Sequence, residues 1–262
     1  ITIDKKKLNL LNQTKVFNFL KKNKPNIVIN AAGKVGGIYA NEKYQAEFIY
    51  ENSTVQSNII HGSYLAGTKN LIFLGSSCIY PKFAKQPIKE EYLLTGKLEK
   101  TNEAYAIAKI EGVKMCHAYN YQYNTNYKCL MPTNLYGPND NYNLKTSHLV
   151  PALLRKFYQA KQNKSPTVEI WGDGSPLREF LHVDDCAKAC LFLMENYNEN
   201  QFVNIGSGVE YTVKQVAEII NEKVGYKGVM EFNTTYPNGT PRKLMDVNKI
   251  NKLGWKHEIS FE

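Results

Sequence analysis

Short apolar runs alternate with longer stretches of helical periodicity along the first half of the chain. The runs have the length of buried strands in a parallel sheet, and the stretches between them have the length of covering helices. Repeated strand–helix alternation predicts an α/β fold with a doubly wound parallel sheet. The strand-like runs span residues 26–33, 70–75 and 128–133, and the helix-like stretches span residues 10–24, 44–66 and 103–121.

Beyond Pro138 the alternation is less regular. We expect residues 1–140 to form a Rossmann-type dinucleotide-binding domain. We expect residues 141–262 to form mainly a smaller α/β substrate lobe, interleaved with pieces that return to the sheet. The expected elements of this part are helices at 149–162, after 185 and at 212–224, and strands at 168–171, 202–205 and 229–232.

The composition favours a normal protein core in a reducing compartment. Of the 262 residues, 43% are hydrophobic, and no apolar run approaches the roughly 20 residues of a membrane span. No signal peptide opens the chain, so we expect a cytoplasmic protein without a membrane partner. The cysteines lack metal-ligand spacing, which predicts free thiols and no metal site, and the i, i+4 pair at 186 and 190 is expected in the core. They are Cys78, Cys116, Cys129, Cys186 and Cys190.

The net charge of +9 comes from lysines scattered along the chain. No basic stripe with interleaved aromatic residues occurs, so we expect no nucleic acid partner. A basic cleft instead suits an anionic substrate such as a nucleotide diphosphate.

Tyr105 and Lys109 are four residues apart, so they share one face of a helix. The preceding strand ends in Ser76 and Ser77, one βαβ unit away. This combination is what ketone–alcohol redox chemistry needs, because a serine can hold the carbonyl oxygen and the lysine charge lowers the pKa of the tyrosine. A surface pair on an amphipathic helix is the alternative, which the serine-ended strand disfavours.

A complete glycine-rich turn of the kind that binds a dinucleotide pyrophosphate is not found in the sequence. Gly33, Gly36 and Gly37 do not have the Gly-x-x-Gly-x-x-Gly spacing. We therefore expect the Rossmann-type domain to be incomplete at its N-terminus. The residues that distinguish NADPH from NADH lie in that turn region, so the sequence does not select between them.

Several motifs of the chain resemble those of the GDP-L-fucose synthases, which are extended short-chain dehydrogenases/reductases acting on a GDP-4-keto-6-deoxyhexose. The resemblance covers nearly the whole chain. Its Ser-Ser-Cys and Ser-His motifs distinguish it from general sugar-nucleotide epimerases. The motifs are Ala32–Ile38, Leu74–Pro81, Thr101–Ile110, Met131–Pro138, Ser147–Leu154, Arg178–Asp185 and Gly239–Leu244.

The resemblance implies two reactions in one site, with NADPH as the cofactor. An acid/base pair first epimerises C3 and C5 of the keto sugar, and C4 is then reduced. Cys78 and His148 would form this pair, since a thiol and an imidazole have pKa values near neutrality. Tyr105 would protonate the C4 alkoxide, Lys109 would hold the cofactor ribose, and Ser76 would bind the ketone oxygen.

The resemblance also implies binding residues. Arg178 is the best candidate for the diphosphate, because a guanidinium binds two phosphate oxygens at once. Lys156 and Asn238 stand where relatives often carry Arg and Asp, which would alter recognition of the substrate. The residues implied for the GDP-4-keto-6-deoxy sugar are Lys156, Trp171, Arg178 and Asn238, and those for the cofactor are Leu74, Gly75, Ser76, Ser77, Tyr105, Lys109, Pro132, Thr133, Asn134, Leu135 and His148.

Several candidates also have purely structural interpretations. Cys78 taken alone is typical of a buried small hydrophobe, and His148 of a cap on the helix that follows it. Trp171 is equally well interpreted as a core residue.

Two further motifs are interpreted structurally. The sequence His182-Val-Asp-Asp precedes a helix, and we expect Asp184 or Asp185 to cap the N-terminus of that helix. Arg242 and Lys243 are expected on a solvated face rather than at a phosphate.

Other functions remain open at this point. The same groups would serve a GDP-4-keto-6-deoxyheptose. A UDP-sugar 4-epimerase would keep NAD⁺ bound without net redox, although the Cys78/His148 pair argues against it. An inactive nucleotide-binding module is the non-enzymatic alternative. The resemblance further implies a homodimer, formed by a helix bundle from residues 44–66 and 103–121.

Overall fold

The computed structural model describes residues 1–236 and 238–262, and within these ranges the chain forms eight α-helices and ten β-strands. The helices are α1 Gln13–Asn23, α2 Ile38–Lys43, α3 Gln45–Leu65, α4 Glu103–Tyr123, α5 Leu149–Gln162, α6 Val183–Asn196, α7 Val213–Val224 and α8 Asn248–Lys252. The strands are β1 Ile27–Asn30, β2 Asn70–Leu74, β3 Asn126–Pro132, β4 Asn134–Tyr136, β5 Thr167–Trp171, β6 Leu177–His182, β7 Val203–Ile205, β8 Glu210–Thr212, β9 Val229–Asn233 and β10 Arg242–Lys243.

A parallel sheet with strand order β1-β2-β3-β7 forms the centre of the larger core. Alternate residues of β2 face opposite layers: Leu71 and Phe73 pack with α1, α3 and α4, whereas Ile72 packs with α6 and α8. Both faces of this sheet are therefore buried under helices, as the apolar runs require. The predicted α/β fold with a doubly wound parallel sheet is confirmed.

Two smaller sheets lie outside this layer. One has strand order β10-β6-β4, with β8 antiparallel to β6, and the other pairs β5 with β9. A separate hydrophobic core joins α5 and α7 to β5 and β9. Strand β7 follows these elements in the chain but pairs with β3 of the larger sheet. The second half of the chain therefore contributes to both cores.

Several elements differ from their predicted bounds. The helical stretch predicted at 44–66 is observed as α3 within one residue at each end, and the short helix α2, which was not predicted, lies just before it and is separated from it by Tyr44. Strands β4, β6, β8 and β10 were not predicted. Three of them have only two or three residues, too few to show alternation, and the six residues of β6 do not alternate between buried and exposed positions. The strand at 202–205 shortens to Val203–Ile205, and the helix at 212–224 begins one residue later, with Thr212 as its cap.

The N-terminus of α6 is capped differently from the prediction. His182 occupies the cap position, and its Nδ1 accepts the backbone N–H of Asp184 at 3.2 Å. Asp185 is fully buried and accepts the backbone N–H groups of Glu258 and Ile259. The expectation that an aspartate caps this helix is therefore wrong, since one aspartate is exposed and the other binds the C-terminal segment.

The expected core position of the cysteine pair on α6 is confirmed. Cys186 and Cys190 are buried in the cluster between α6 and the larger sheet. In the described ranges 1–236 and 238–262, no helix combines the length and the apolar character needed to cross a membrane.

Candidate active site

The turn after β2 positions Cys78. Ser76 caps a short 3-10 helix, Ser77–Ile79, and its Oγ accepts the backbone N–H of Cys78 at 3.2 Å. The Cys78 sulfur lies 3.3 Å from Nζ of Lys243 and 3.4 Å from Nδ2 of Asn102. Two nitrogen donors therefore face one thiol, an arrangement that stabilises a thiolate.

The electrostatics favour the charged form of Cys78. Burial alone raises the pKa of the thiol, but the positive charge of Lys243, the Ser76 hydroxyl and the charge of Arg178 outweigh it, so the pKa is lowered from its ordinary value. A lowered thiol pKa increases the fraction of thiolate that is available as a base at a given pH. This environment does not support the interpretation of Cys78 as an inert core residue.

Lys243 is the principal site residue that sequence reasoning missed. We expected it on a solvated face, and the structure places it against Cys78 because β10 pairs with β6. Its neighbour Arg242 instead forms a two-pronged ion pair with Glu210. The only sequence signal for Lys243 was its place inside the Gly239–Leu244 motif, to which the resemblance assigns no separate role.

Tyr105 and Lys109 lie on one face of α4, as their spacing predicted. Nζ of Lys109 donates to the Leu74 carbonyl at 2.8 Å and lies 5.9 Å from the centroid of the Tyr105 ring. Burial lowers the pKa of Lys109 to about 8. The lysine thus reaches the end of β2, next to the serine turn.

The expectation that Lys109 lowers the pKa of Tyr105 is wrong for this structure. Burial raises the pKa of Tyr105, the nearby Cys78 raises it further, and the Ser76 hydroxyl opposes both effects only in part. Lys109 lies over the ring of Tyr105, and its ammonium is hydrogen-bonded to a carbonyl. The phenol therefore remains protonated at neutral pH, the state that a proton donor needs.

His148 occupies the N-cap position of α5, but its side chain makes no capping hydrogen bond. The alternative interpretation as a side-chain cap is therefore wrong. Burial lowers the pKa of the imidazole, Lys243 lowers it further, and Asp140 opposes them. Lys243 thus lowers the pKa of both His148 and Cys78, so the two expected acid/base residues share one cationic neighbour.

The residues predicted to line the cofactor follow two adjacent parallel strands. Leu74 to Ser77 run from the last residue of β2 into the turn after it, and Pro132 to Leu135 run from the last residue of β3 through Thr133 into β4. The carboxyl ends of neighbouring parallel strands form the usual ligand crevice of such sheets. Thr133 Oγ1 and Asn134 Nδ2 both donate to the Glu179 carbonyl. Contact of these residues with a cofactor stays a prediction.

Asn30, at the carboxyl end of β1, was not singled out by the sequence. Its side chain is buried, and its Nδ2 has no hydrogen-bond partner in the part of the chain that the structure describes. Lys109 uses one ammonium hydrogen on Leu74 and has others to donate. Donors left over at the ends of β1 and β2 fit a ligand rich in oxygen acceptors, such as a dinucleotide ribose and its phosphates.

The predicted substrate residues lie in one continuous set of contacts. Nζ of Lys156 lies 5.2 Å from the centroid of the Trp171 ring, which stacks on Tyr236 at 4.3 Å. Asn238 Oδ1 accepts the N–H of Asp173, in a turn where Gly172 has φ +81° and a Cβ would lie 2.3 Å from that oxygen. Nη2 of Arg178 donates to the Asn238 carbonyl at 3.4 Å.

Two features of this set bear on substrate binding. Trp171 is 42% exposed, so its interpretation as a core residue is wrong. Burial lowers the pKa of the Arg178 guanidinium, and the nearby Cys78 opposes this. Arg178 therefore connects the aromatic pair, through Asn238, to the thiol. Tyr236 is a further residue that the sequence did not indicate.

We expect Lys243→Met to raise the pKa of the Cys78 thiol by about one unit or more, because an opposite charge at this distance is removed. The sign follows from the lowered pKa of Cys78, to which Lys243 contributes the largest favourable effect. The measurement is the pH dependence of Cys78 alkylation by iodoacetamide, followed by peptide mass spectrometry. Arg242→Met, which removes a neighbouring cation paired with Glu210, is the control that should leave the midpoint in place.

Comparison with known sequences relates the chain to one enzyme family. The family described as "NAD dependent epimerase/dehydratase family" matches residues 3–206. "GDP-L-fucose synthase 1" of Arabidopsis thaliana is 54% identical over 254 residues, covering 97% of this chain and 79% of that protein. "GDP-L-fucose synthase" of Escherichia coli strain K12 is 50% identical over 264 residues, covering 97% and 82%.

A solved structure gives the same relationship. The structure titled "MlghC, GDP-mannoheptose C4 reductase from Campylobacter jejuni with NADP bound" superimposes with a TM-score of 0.90 and 40% sequence identity. The match covers 100% of this chain and 85% of that chain. That protein is described as a reductase of a GDP-mannoheptose and holds NADP.

Proposed function

The chain belongs to the NAD dependent epimerase/dehydratase family, and on that premise we propose that it converts GDP-4-keto-6-deoxy-D-mannose to GDP-L-fucose by 3,5-epimerisation and NADPH-dependent 4-reduction. The observation that carries the proposal is the Cys78 thiol, 3.3 Å from Nζ of Lys243 and beside Tyr105. A reductase alone needs only a proton donor such as Tyr105. An enzyme that also epimerises needs a further acid/base group, and the activated Cys78 thiol can serve as one.

The epimerisation falls to Cys78 and His148. The C4 ketone acidifies the protons at C3 and C5, so a base of near-neutral pKa can remove them. The Cys78 thiolate takes the proton from carbon on one face and becomes a thiol, and the imidazolium form of His148 returns a proton on the other face and becomes neutral. Proton exchange with solvent restores both groups. The lowered pKa of the thiol keeps a thiolate available, and Lys243 stabilises it.

The reduction uses Tyr105 as the proton donor. Ser76 hydrogen-bonds the C4 oxygen, and Tyr105, whose pKa is raised by burial, delivers its proton to the developing alkoxide. The Ser76 hydroxyl, which is the group that opposes the raised pKa of Tyr105, then stabilises the tyrosinate that remains.

Residues 1–140 would bind the cofactor, and residues 141–262 would bind most of the GDP-sugar. Asn30 and Lys109 would hold the ribose end of NADPH, and the turns after β2 and β3 would line its nicotinamide. Bound there, the dinucleotide supplies the hydride for C4. Similarity to a reductase that binds NADP supports this cofactor.

The GDP moiety would be bound by the side chains in mutual contact between Lys156 and Arg178. Arg178 offers a planar fork for the diphosphate, and Trp171 with Tyr236 offers an aromatic surface for a purine base. Lys156 adds a second cation next to the ring. These groups match the charge and aromaticity of a guanosine diphosphate.

The test is NADPH oxidation by the protein with GDP-4-keto-6-deoxymannose, together with identification of the product. Steady loss of NADPH with formation of GDP-L-fucose supports the proposal. Oxidation only with a GDP-4-keto-6-deoxyheptose would select the second candidate, which the 40% identity to a GDP-mannoheptose reductase favours. Turnover of a UDP-sugar without net NADPH use, or NADPH binding without any turnover, would contradict both.

We also propose a homodimer built on α3 and α4. These two helices pack on each other and leave the apolar residues Ile49, Tyr50 and Ile107 exposed. Pairing with a second copy would bury these side chains and stabilise the dimer. Light scattering of the wild-type protein should give twice the mass of one chain. The variant Ile107→Glu should give the mass of one chain, without loss of folded structure. A monomeric wild-type protein at working concentration would contradict this prediction.

A further inference from the structure

Glu179 is a buried carboxyl that the proposed reaction does not use. It lies on β6 next to Arg178 and is fully buried. Its Oε1 accepts the backbone N–H of Gly208 at 2.7 Å, and its Oε2 accepts that of Met245 at 2.9 Å. No ion pair involves Glu179 anywhere in residues 1–236 and 238–262. The groups that stabilise its charge are therefore backbone amides and the Thr133 hydroxyl rather than a cation.

The surroundings of this carboxyl are closely fitted. A Cβ on Gly206 would lie 2.1 Å from Oε1, so only glycine leaves room for the carboxylate there. Burial raises the pKa of Glu179 to about 7, while the amides of Met245 and Gly208 oppose that rise. Burying a carboxyl without a cation is costly. The group is therefore expected to serve a purpose other than stability.

That purpose is suggested by the segment that Glu179 holds. Met245 follows Lys243 by two residues, and β10, which contains Lys243, pairs with β6 just before Glu179. On its other side the same segment bonds to the backbone of Ile88. The strand that carries Lys243 is therefore held between Ile88 and the Glu179 carboxylate. Because β10 is only two residues long, its position depends on these flanking contacts.

We propose that Glu179 is a positioning residue: its carboxylate fixes the backbone at Met245 and thereby holds the Lys243 ammonium against the Cys78 thiol. The importance of this thiol for turnover rests on the proposed function, but its ionisation does not. Failure of the sugar assay with an intact thiol effect would overturn only the function. An absent thiol effect in an enzyme that turns over would overturn only this inference.

The test is the pH midpoint of Cys78 alkylation by iodoacetamide in Glu179→Gln. An amide presents one N–H₂ group to one of the two backbone donors, so the Met245 segment is released or displaced. We expect the midpoint to rise by about one unit, equivalent to roughly tenfold slower alkylation below the midpoint. Loss of the carboxylate charge acting directly on Cys78 would lower the midpoint instead. A merely structural role would leave it unchanged, and either result overturns the proposal.

Three further variants keep the test decisive. Glu179→Asp retains the charge but shortens the side chain, so a raised midpoint there cannot come from lost charge; an unchanged midpoint would contradict the proposal even if Glu179→Gln fails to fold. In a Lys243→Met background, Glu179→Gln should add no further shift, and an additive shift would exclude action through Lys243.

Asp185→Asn is the matched control, since Asp185 is another fully buried carboxyl that accepts two backbone amides, but from Glu258 and Ile259. It should lower Tm without moving the midpoint, and an equal shift there would overturn the proposal.

Discussion

Replacing Tyr105 by phenylalanine should lower the rate of NADPH oxidation by about a hundred- to ten-thousand-fold, because the reduction loses its general acid. The phenol is buried beside Ser76 and remains protonated at neutral pH. Because the position is buried, a water molecule does not easily take over its role as proton donor. The measurement is the loss of NADPH absorbance with the GDP-4-keto-6-deoxy sugar. NADPH binding, followed by fluorescence, should persist, because the proposed ribose contact is made by Lys109 and not by the hydroxyl.

Exchange of sugar protons with solvent separates this role from a general disruption of the site. In D₂O, Tyr105→Phe should still incorporate deuterium at C3 and C5, since the epimerising groups are untouched. Tyr158→Phe removes the same hydroxyl from an exposed position on α5 and should leave both rates unchanged. If Tyr105→Phe oxidised NADPH at the wild-type rate, Tyr105 would not be the proton donor.

The half of the site that lies on one βαβ unit was predictable from the sequence. The spacing of Tyr105 and Lys109 places both on one helical face, and the parallel sheet brings the end of β2 to that face. Each step uses local periodicity or the regular packing of adjacent strands and helices. The structure confirms the placement of the two residues and of Ser76 beside them.

The other half depends on contacts that no periodicity encodes. Lys243 reaches Cys78 across 165 residues of chain, through a two-residue strand, β10, that has no pattern of its own. In the sequence, Lys243 follows another cation, Arg242, and two adjacent cations are typical of a solvated face. The buried Glu179 that holds this strand is equally inconspicuous, because its neighbours in sequence do not reveal the backbone amides that it meets. The pKa of Tyr105 was mispredicted for a related reason, since spacing gives proximity to Lys109 but not the extent of burial.

Replacing Cys78 by serine should slow epimerisation by about a hundred- to ten-thousand-fold, because an alkoxide is not available near neutral pH and the hydroxyl is a far weaker base than the thiolate. Because the pKa of the Cys78 thiol is lowered from its ordinary value, the wild-type rate should persist at pH values below the ordinary thiol pKa. It should decline only where the thiolate becomes protonated. The measurement is deuterium incorporation at C3 and C5 of the substrate in D₂O, as a function of pH.

The product formed by Cys78→Ser should show whether reduction proceeds without epimerisation. Because Tyr105 and Ser76 remain, C4 can still be reduced, and the expected product is a GDP-6-deoxy sugar that keeps the original configuration at C3 and C5. Cys190→Ser is the matched control: that thiol is buried under α6, so the change should lower stability and leave exchange intact. Wild-type exchange in Cys78→Ser would remove Cys78 from the mechanism. Retained exchange in Tyr105→Phe together with lost exchange in Cys78→Ser would show that epimerisation and reduction are separable, with Cys78 needed for the first reaction and Tyr105 for the second.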